Sequence, residues 1–275
     1  MNLFQAVVLG IVEGLTEFLP VSSTGHLTIA EKLLGLRPDD PAVTAFTAVI
    51  QVGAIIAVLV YFAKDLARII GGWAVGLVRP SARGAEEFRF GWLIILGSLP
   101  IGIVGLAARP LIEGPLRSLW VVAASLVLWS AVMWWAEREP SQKKGEADLS
   151  VADVLIIGSV QCLALFPGVS RSGATISAGL LRGVDRVTAT KLAFYLGIPA
   201  LVGAGALELP KALGEGVGAV PTAVGTVVSF IVAYASVAWL LRFVSTNRIT
   251  AFVPYRVVLG AAIMVALGAG WLTAT

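Results

Sequence analysis

The sequence predicts an all-α integral membrane protein with six transmembrane helices and two re-entrant helical hairpins in an inverted-topology repeat. Three observations predict this fold class: an apolar composition, six apolar stretches of membrane-spanning length, and two apolar stretches interrupted by polar residues. Of the 275 residues, 57% are hydrophobic and only 13% are charged, whereas soluble domains carry about 25% charged residues. So few polar residues cannot cover a core of this size, and a bilayer must therefore solvate much of the chain.

Six stretches reach or approach the roughly 20 apolar residues that a helix needs to cross a bilayer. We predict spans at 42–62, 90–108, 118–136, 192–207, 219–241 and 257–273. The fourth stretch is short and contains Pro199, which membrane helices tolerate. The spans belong to a single integral membrane domain over residues 1–275. Its repeat halves are predicted at 1–136 and 151–275, joined by a solvated cytoplasmic linker at 137–150.

The distribution of Lys and Arg predicts the orientation of these spans. If residues 1–41 start outside and each span crosses once, the cytoplasmic connections are 63–89, 137–150, 182–191 and 242–256, with 14 basic residues. The outer connections hold five basic residues, which are Lys32, Arg37, Arg109, Arg117 and Lys211. Because cytoplasmic loops carry an excess of Lys and Arg, this bias predicts that both termini face outside.

Two further apolar stretches, 3–29 and 151–181, contain charged residues together with Pro, Gly and Ser. Each consists of an apolar arm, a break and a second short arm, and neither arm is a good full span. Irregular backbone at membrane depth is tolerated only inside protein or beside a water-filled cavity. We therefore predict that both stretches are re-entrant hairpins, in which the chain enters and leaves the bilayer on the same side.

The two interrupted stretches are related by a displacement of 148 residues. GIVEGLTEFLPVSSTGHLT (10–28) aligns with GSVQCLALFPGVSRSGATI (158–176), and seven of the nineteen positions are identical. Each copy is followed by three spans, so the second copy begins on the opposite face of the membrane. This pattern indicates an inverted-topology repeat, which places binding sites near the midplane where broken helices meet. Two unrelated hairpins with coincidental similarity are the alternative interpretation.

Glu13 and Glu17 are four residues apart and therefore share one face of a helix. Ionised carboxylates at this spacing repel each other, and burial in a membrane makes each charge more costly. The pair requires a compensating cation, a shared proton or a water-filled cavity. Because hard cations prefer carboxylate oxygen, we consider Glu13 and Glu17 a candidate site for Mg²⁺ or Ca²⁺. A protonated structural pair is the alternative.

The two breaks also carry residues that suit an anion. Helix N-termini with small residues bind anions through free N–H groups and the helix dipole, and Arg171 adds a bidentate cationic donor. The predicted anion-binding residues are Ser22, Thr24, Gly25, Ser170, Ser172, Gly173 and Thr175. Ser and Thr at breaks are often simple helix caps, but capping alone leaves an intramembrane arginine unexplained.

His26, the only histidine, lies three residues after Ser23. A lone histidine is often structural, yet its imidazole titrates near neutral pH and can act as a general acid or a nucleophile. Carboxylates, a hydroxyl, an imidazole and a guanidinium around an anion suit phosphoryl transfer. The candidate catalytic residues are Glu13, Glu17, Ser23, His26 and Arg171.

EGLTEFLPVSSTGH (13–26) and PGVSRSGATIS (167–177) resemble the two signature motifs of the undecaprenyl-pyrophosphate phosphatases, the bacitracin-resistance proteins of bacteria. The resemblance extends over the whole chain in length, number of spans and placement of the motifs. It implies an integral enzyme that hydrolyses undecaprenyl pyrophosphate to undecaprenyl phosphate and inorganic phosphate, with a divalent cation. The same resemblance implicates Glu13, Glu17, Ser23, His26 and Arg171.

The resemblance further implies a role in recycling the lipid carrier for cell-wall synthesis, at a site on the outer side of the bacterial inner membrane. The expected partners are a polyprenyl pyrophosphate lipid and membrane lipids, and no nucleic acid; a homodimer is left open. Ser23, His26 or water could attack the phosphorus, and the sequence does not choose among them. The competing interpretation is a transporter or flippase of polyprenyl phosphate lipids that uses the same anion site.

Overall fold

The computed structural model describes residues 1–108, 110–111, 116, 118–138, 141–212 and 218–274, apart from the side chains of 207–212. Within these ranges the regular structure is helical, and the only β contact is an isolated bridge between Lys144 and Val184. The fold is therefore all-α, as predicted. Arg109 and Arg117 of the predicted outer connections, and the side chain of Lys211, lie outside the described residues.

The helices follow one another with short connections. They are α1 (Leu3–Thr16), α2 (Ser23–Leu33), α3 (Pro41–Tyr61), α4 (Ala63–Val78), α5 (Glu86–Ala107), α6 (Leu119–Ala136), α7 (Val151–Gln161), α8 (Arg171–Leu181), α9 (Arg186–Ala212), α10 (Ala219–Val244) and α11 (Val253–Gly268). Polar caps begin several of them. Asn2 caps α1 and Ser150 caps α7, each in a reciprocal capping box, and Asp40 caps α3 ahead of Pro41. Such caps satisfy N–H groups that have no partner within the helix.

Within the described part of the chain, six stretches are long and apolar enough to cross a membrane, which confirms the predicted number of spans. They are Pro41–Tyr61, Glu86–Ala107, Leu119–Ala136, Arg186–Ala206, Ala219–Val244 and Ile249–Gly268. The sixth begins eight residues earlier than the predicted 257, because a 3₁₀ turn at Ile249–Phe252 leads directly into α11. Counting Arg256 in a cytoplasmic loop was therefore wrong, since it is a fully buried residue of α11.

Helix α4 lies within the predicted connection 63–89 and was not expected. It packs along α5 through close glycine–aromatic contacts: the ring of Phe88 lies against Gly76, and Trp73 lies against Gly91. Ile69 on the inner face is buried, whereas Val78 is exposed. This helix has only 16 residues, and its first turns carry Lys64, Asp65 and Arg68. A search for apolar runs of about 20 residues therefore assigns it to a connection.

Each interrupted stretch begins and ends at one side of the helix bundle. In the first unit, α1–α2, Gln5 Nε2 donates a hydrogen bond of 3.1 Å to the carbonyl of Leu34, which follows α2. In the second unit, α7–α8, Arg182 Nε lies after α8 and donates to Asp153 Oδ1 in the first turn of α7, at 2.9 Å. Each break therefore lies at the far end of its unit from both chain ends, which is the shape expected of a hairpin.

The two units open toward opposite ends of α6. The ends of the first unit lie near residues 273 and 274, because Lys32 Nζ donates a hydrogen bond to the carbonyl of Thr273. The next carbonyl, that of Ala274, accepts from the N–H of Leu119. The first unit therefore begins and ends near the start of α6. The ends of the second unit lie with Lys144, in the connection that follows α6. This opposition is what an inverted repeat requires. The path of each unit through a bilayer stays a prediction, as do the boundaries of the two halves.

The first arm of each unit packs on a span that belongs to the other predicted half. Helix α1 packs on α10 and α7 packs on α5. A Cβ at Gly10 would lie 2.6 Å from the carbonyl oxygen of Gly225, and a Cβ at Gly158 would overlap the carbonyl oxygen of Gly97. Gly10 and Gly158 are equivalent in the repeat, so this shared glycine has a packing cause: two backbones approach more closely than a side chain permits.

Charged residues hold the linker side together outside the six spans. The Asp153 side chain is 1% exposed, and its carboxylate accepts hydrogen bonds from Lys144 Nζ, Ser150 Oγ and Arg182 Nε. Burial raises the pKa of Asp153, but the bonds from Ser150, Arg182 and Lys144 outweigh burial and lower that pKa to about 2. Because the folded-state pKa lies below the usual value of 3.8, the carboxylate stabilises the fold at neutral pH. That contribution is lost as the pH falls through about 4 to 2.

We expect Asp153→Asn to lower the free energy of unfolding in detergent at pH 7 by about 1–3 kcal/mol, since it weakens charge-assisted bonds to a buried group. Because Lys144 and Arg182 are partly exposed, solvent screens their charges, and we expect a loss of stability near the lower value. The matched control is Glu146→Gln, because Glu146 pairs with Arg68 at 3.3 Å but the two side chains are 34% and 43% exposed. The control should change stability by less than about 0.5 kcal/mol; equal losses in the two variants would contradict the prediction.

Candidate active site

The two breaks are residues 17–22, between α1 and α2, and residues 162–170, between α7 and α8. They turn at equivalent serines that share an unusual backbone conformation. Ser22 has φ 76° and Ser170 has φ 74°, and they are the only non-glycine residues with positive φ in the described part of the chain. An L-residue in this region is strained by roughly 1–3 kcal/mol and persists only where its surroundings enforce it. Strain of this kind concentrates at functional sites.

The breaks contact each other across the repeat. The N–H of Gly168 in the second break donates to Ser22 Oγ at 3.0 Å, and Ser170 Oγ donates to the carbonyl of Leu19 in the first break at 3.4 Å. Each strained serine thus bonds to the backbone of the opposite break. The two breaks therefore lie together, as expected for broken helices that meet in an inverted repeat.

Two helix N-termini begin at this meeting point. Helix α8 is capped by Ser170 Oγ, which accepts from the N–H of Gly173 at 3.3 Å. Helix α2 follows Ser22, whose side chain makes no capping bond to it. The first N–H groups of α2 are therefore not satisfied by a cap, and together with the helix dipole they suit an anion.

The Glu17 carboxylate contacts the first residue of α2 and the first residue of α8. One carboxylate oxygen, Oε1, pairs with Arg171 Nη2 at 2.9 Å, and the other, Oε2, accepts from Ser23 Oγ at 2.6 Å. Arg171 Nη1 also donates to the carbonyl of Gly197 at 3.1 Å. A hydroxyl that donates to a buried carboxylate at so short a distance is oriented, and its proton has an acceptor in place.

A cavity of about 490 Å³ opens beside these groups and has two unlike ends. Its polar end is formed by the two breaks and is lined by Glu17, Ser22, Ser23, Thr24, Ser170 and Arg171. Its other end is formed by α5 and α9 and is lined by Ile101, Gly102, Gly105, Leu106, Leu201, Gly203 and Ala204, among others. Gln51 of α3 also contributes. A charged head group with an apolar chain matches this division.

Glu13 lies deeper than Glu17 and is 1% exposed. Its Oε1 atom is buried and makes no hydrogen bond within the described part of the chain. An orphaned carboxylate oxygen is a feature that a bound cation or a proton would explain. The described residues contain no group of three or more His, Cys, Asp or Glu side chains that could hold a metal, so a cation here would need substrate oxygens as further ligands.

His26 faces away from the cavity. Its Nδ1 lies 2.7 Å from the carbonyl oxygen of Ser22 and its Nε2 lies 2.6 Å from the hydroxyl of Tyr255, and the two rings stack. A carbonyl only accepts, so Nδ1 carries a hydrogen and Nε2 of the neutral ring accepts from Tyr255. Both nitrogens are therefore occupied. Sequence reasoning missed Tyr255, because nothing in the chain indicates a contact over 229 positions.

The remaining predicted anion-binding residues lie behind the cavity wall. A Cβ at Gly25 would contact Val122, and Gly173 lies against Ser170. The Ser172 hydroxyl bonds to that of Ser170, and Thr175 Oγ1 donates to the carbonyl of Arg171 at 2.8 Å. These residues support the shape of the second break, and their role in binding stays a prediction.

The fold and the site define a multi-pass, all-α membrane protein with a cavity between two interrupted helical units, whose polar end is lined by Glu17, Ser23 and Arg171. The chain belongs to the bacitracin resistance protein BacA family, whose family model matches residues 6–262. It is 58% identical over 273 residues to Undecaprenyl-diphosphatase 1 of Streptomyces coelicolor, which covers 99% of this chain and 98% of that protein.

Two further relatives extend the likeness. Undecaprenyl-diphosphatase 1 of Frankia alni is 58% identical over 271 residues, covering 98% of each chain. The Undecaprenyl-diphosphatase of Corynebacterium diphtheriae is 46% identical over 274 residues, covering 98% of this chain and 96% of that protein. The resemblance of the two motifs to this family is thereby confirmed.

Proposed function

We propose that the protein hydrolyses undecaprenyl pyrophosphate to undecaprenyl phosphate and inorganic phosphate in the cavity between the two breaks. The names of its relatives supply the reaction. The observation that carries the proposal is the Ser23–Glu17–Arg171 arrangement at the polar end of a cavity whose other end is apolar. Such a cavity suits a diphosphate head group and the first part of a prenyl chain.

In this proposal, the terminal phosphate binds to Arg171 and to the free N–H groups at the start of α2. Glu17 accepts the proton of Ser23, and Ser23 Oγ attacks the terminal phosphorus. The bond between that phosphorus and the bridging oxygen breaks, and undecaprenyl phosphate leaves. Water then hydrolyses the phosphoserine and releases inorganic phosphate. The occupied ring of His26 supports a positioning role for this residue, through the carbonyl of Ser22.

A divalent cation, Mg²⁺ or Ca²⁺, belongs to the same proposal. The buried, unpartnered Oε1 atom of Glu13 supports it, and Glu13 and Glu17 would be the residues that hold the cation. When bound, the cation neutralises charge on the phosphate groups. Within the protein, Arg171 already engages Glu17, so Glu13 is the residue whose charge the cation would chiefly compensate.

We also propose that the protein lies in the bacterial inner membrane with the cavity accessible from the periplasm. The excess of Lys and Arg in the connections around the linker supports this orientation. The ends of the second unit lie beside the basic linker, where Lys144 bonds to Asp153. The first unit, which carries Glu17 and Ser23, opens toward the opposite end of α6.

Phosphate release in detergent tests the proposed function. The purified protein should release inorganic phosphate from undecaprenyl pyrophosphate without any second compartment, and a chelator should reduce the rate. A lipid transporter would release none, and the relatives give that alternative no support. Inactivity of folded protein with added Mg²⁺ or Ca²⁺ would refute the proposal.

Rapid quenching tests the nucleophile. With Ser23 as nucleophile, mass spectrometry of protein quenched within one turnover should find a phosphate on the peptide that contains Ser23. An adduct on His26 would reassign the nucleophile, and fast turnover with no adduct on either residue would favour direct attack by water. Ser150, a hydroxyl residue outside the cavity that donates to Asp153, is the internal control and should carry no phosphate.

Narrowing the apolar end should affect long substrates selectively. A Cβ at Gly105 meets no atom within 4 Å, and Gly105 lines the cavity. We expect Gly105→Leu to lower kcat/KM for the undecaprenyl substrate by about tenfold, roughly the effect of 1–2 kcal/mol of lost binding. A short-chain prenyl pyrophosphate should be affected far less. Gly71→Leu, at an equally open position on α4, is the control, and equal losses with both substrates would contradict the prediction.

A further inference from the structure

Arg256 is the largest fully buried side chain of the described residues, at 0% exposure. Among the residues that the structure describes, its guanidinium donates only to neutral oxygens. The acceptors are Pro20 O at 2.8 Å, Gly168 O at 2.9 Å, Val169 O at 3.2 Å, Ser130 Oγ at 3.2 Å and Leu126 O at 3.4 Å. The first three belong to the two breaks, and the last two belong to α6.

Two of these acceptors are equivalent in the repeat. Pro20 and Gly168 are separated by the same 148 residues that relate the two breaks. Nη1 of Arg256 bonds to the first carbonyl and Nη2 bonds to the second. One side chain therefore holds the same point of both breaks. A planar guanidinium with five N–H donors can span acceptors on two segments, whereas a lysine ammonium acts from a single point.

These carbonyls lie two residues before the strained positions. Pro20 precedes Ser22, and Gly168 precedes Ser170. A non-glycine residue keeps positive φ only where its surroundings enforce that conformation, and fixing each preceding carbonyl restricts the backbone as it enters the strained serine. The orientation of Ser22 in turn sets the start of α2, which carries Ser23. Arg256 can thus act on the reacting groups without touching them.

The charge of Arg256 also requires an explanation. No ion-pair partner of Arg256 occurs among the described residues, and every contact of its guanidinium is to a carbonyl or hydroxyl oxygen. Burying a cation without an anion costs several kcal/mol in a protein interior. If the position required only packing, a neutral side chain would fill it without this desolvation cost. An anion bound between the breaks would offset part of the cost.

We propose that Arg256 is a positioning residue that holds the two breaks in register, so that Ser23 and Arg171 face one phosphate group. This inference rests on the proposed function of the cavity, because its kinetic consequence is alignment for phosphoryl transfer. It adds a residue of α11 to a site otherwise formed by the two interrupted units. Tyr255, the preceding residue, contacts His26 from the same helix.

The test compares Arg256→Lys and Arg256→Met with Arg89→Met. Arg89 is the matched control because its guanidinium also bonds to two backbone carbonyls, those of Leu149 and Ala147, on the linker side and away from the breaks. Two quantities are measured on each purified variant: kcat and KM for phosphate release, and amide hydrogen exchange of peptides covering 17–26 and 165–175.

We expect Arg256→Lys to lower kcat about 10–100-fold with little change in KM, because small misplacements of reacting groups have effects of this size. Arg256→Met should lose more activity than Arg256→Lys, because the lysine ammonium can still donate to some of the same carbonyls. Exchange should rise in the two break peptides and not in peptides of α3 or α10. Arg89→Met should leave kcat and the exchange of both break peptides unchanged.

Two results would overturn the proposal: wild-type kcat and exchange in Arg256→Lys, or a loss of activity accompanied by faster exchange throughout the bundle. If Arg256→Met fails to fold, Arg256→Lys decides the matter alone. If the wild-type protein releases no phosphate, the proposed function is wrong, and break-specific exchange still tests whether Arg256 holds the breaks together.

Discussion

Replacing Glu17 by Gln should lower kcat for phosphate release by about 10³-fold, within the range typical of a lost general base. The variant keeps the size of the side chain but removes the charge that accepts the Ser23 proton and pairs with Arg171. An amide can still accept one hydrogen bond, so substrate binding should weaken less than kcat falls. The measurement is kcat and KM in detergent, normalised to the folded fraction of each sample.

Glu137→Gln is the matched control for this prediction. Glu137 is also a buried carboxylate paired with an arginine at 2.9 Å, here Arg186, and it accepts from the N–H of Ile249. It lies on the linker side, outside the cavity. We expect Glu137→Gln to reduce stability while the folded protein keeps its kcat. A loss of less than tenfold in Glu17→Gln, or an equal loss in both variants, would show that Glu17 is not the proton acceptor.

Replacing Gly158 by Ala should lower the free energy of unfolding by about 3 kcal/mol, at the upper end of overpacking effects. The added methyl group would overlap the carbonyl oxygen of Gly97, and neither this oxygen nor the Cα that carries the methyl group can move without its helix backbone. Helix α7 would have to shift away from α5 and carry the second break with it. We therefore expect a lower melting temperature together with reduced phosphate release from the protein that remains folded.

Gly71→Ala provides the comparison for Gly158→Ala. A Cβ at Gly71 meets no atom within 4 Å, and the residue lies in α4. Alanine favours a helix over glycine by up to about 1 kcal/mol, so this variant should be as stable as the wild type or more stable. Should both variants lose stability equally, close packing between α5 and α7 would not be the cause.

Sequence reasoning predicted those parts of the fold that depend on local signals. Long apolar runs identified the six spans, because hydropathy over about 20 residues is a direct requirement of the bilayer. Charged residues within apolar stretches identified Glu17 and Arg171, which the structure pairs across the repeat at 2.9 Å. The displaced motif predicted that the breaks would meet. All of these signals can be read from short segments.

The features that the sequence did not predict depend on contacts between segments that are distant in the chain. Arg256 lies near the start of a span, where an arginine resembles an ordinary loop residue, and only the folded bundle brings it to both breaks. Tyr255 is likewise recognisable only by its contact with His26. Helix α4 was not predicted because its 16 residues, with charges in the first turns, fall short of a membrane-spanning apolar run. The positive φ of Ser22 and Ser170 has no sequence signal either, since serine rarely adopts it.

Each interrupted unit packs its first helix on a span of the other predicted half, and this arrangement has a consequence for the biosynthesis of the protein. Helix α1 is synthesised before the other helices of the bundle, yet the backbone on which Gly10 rests, at Gly225, emerges from the ribosome some two hundred residues later. Until most of the polypeptide has been inserted, helix α1 therefore lacks the helix on which it mainly packs, and Glu17 lacks Arg171. Translation of the last third, rather than of the motif itself, sets the moment at which a competent enzyme first exists.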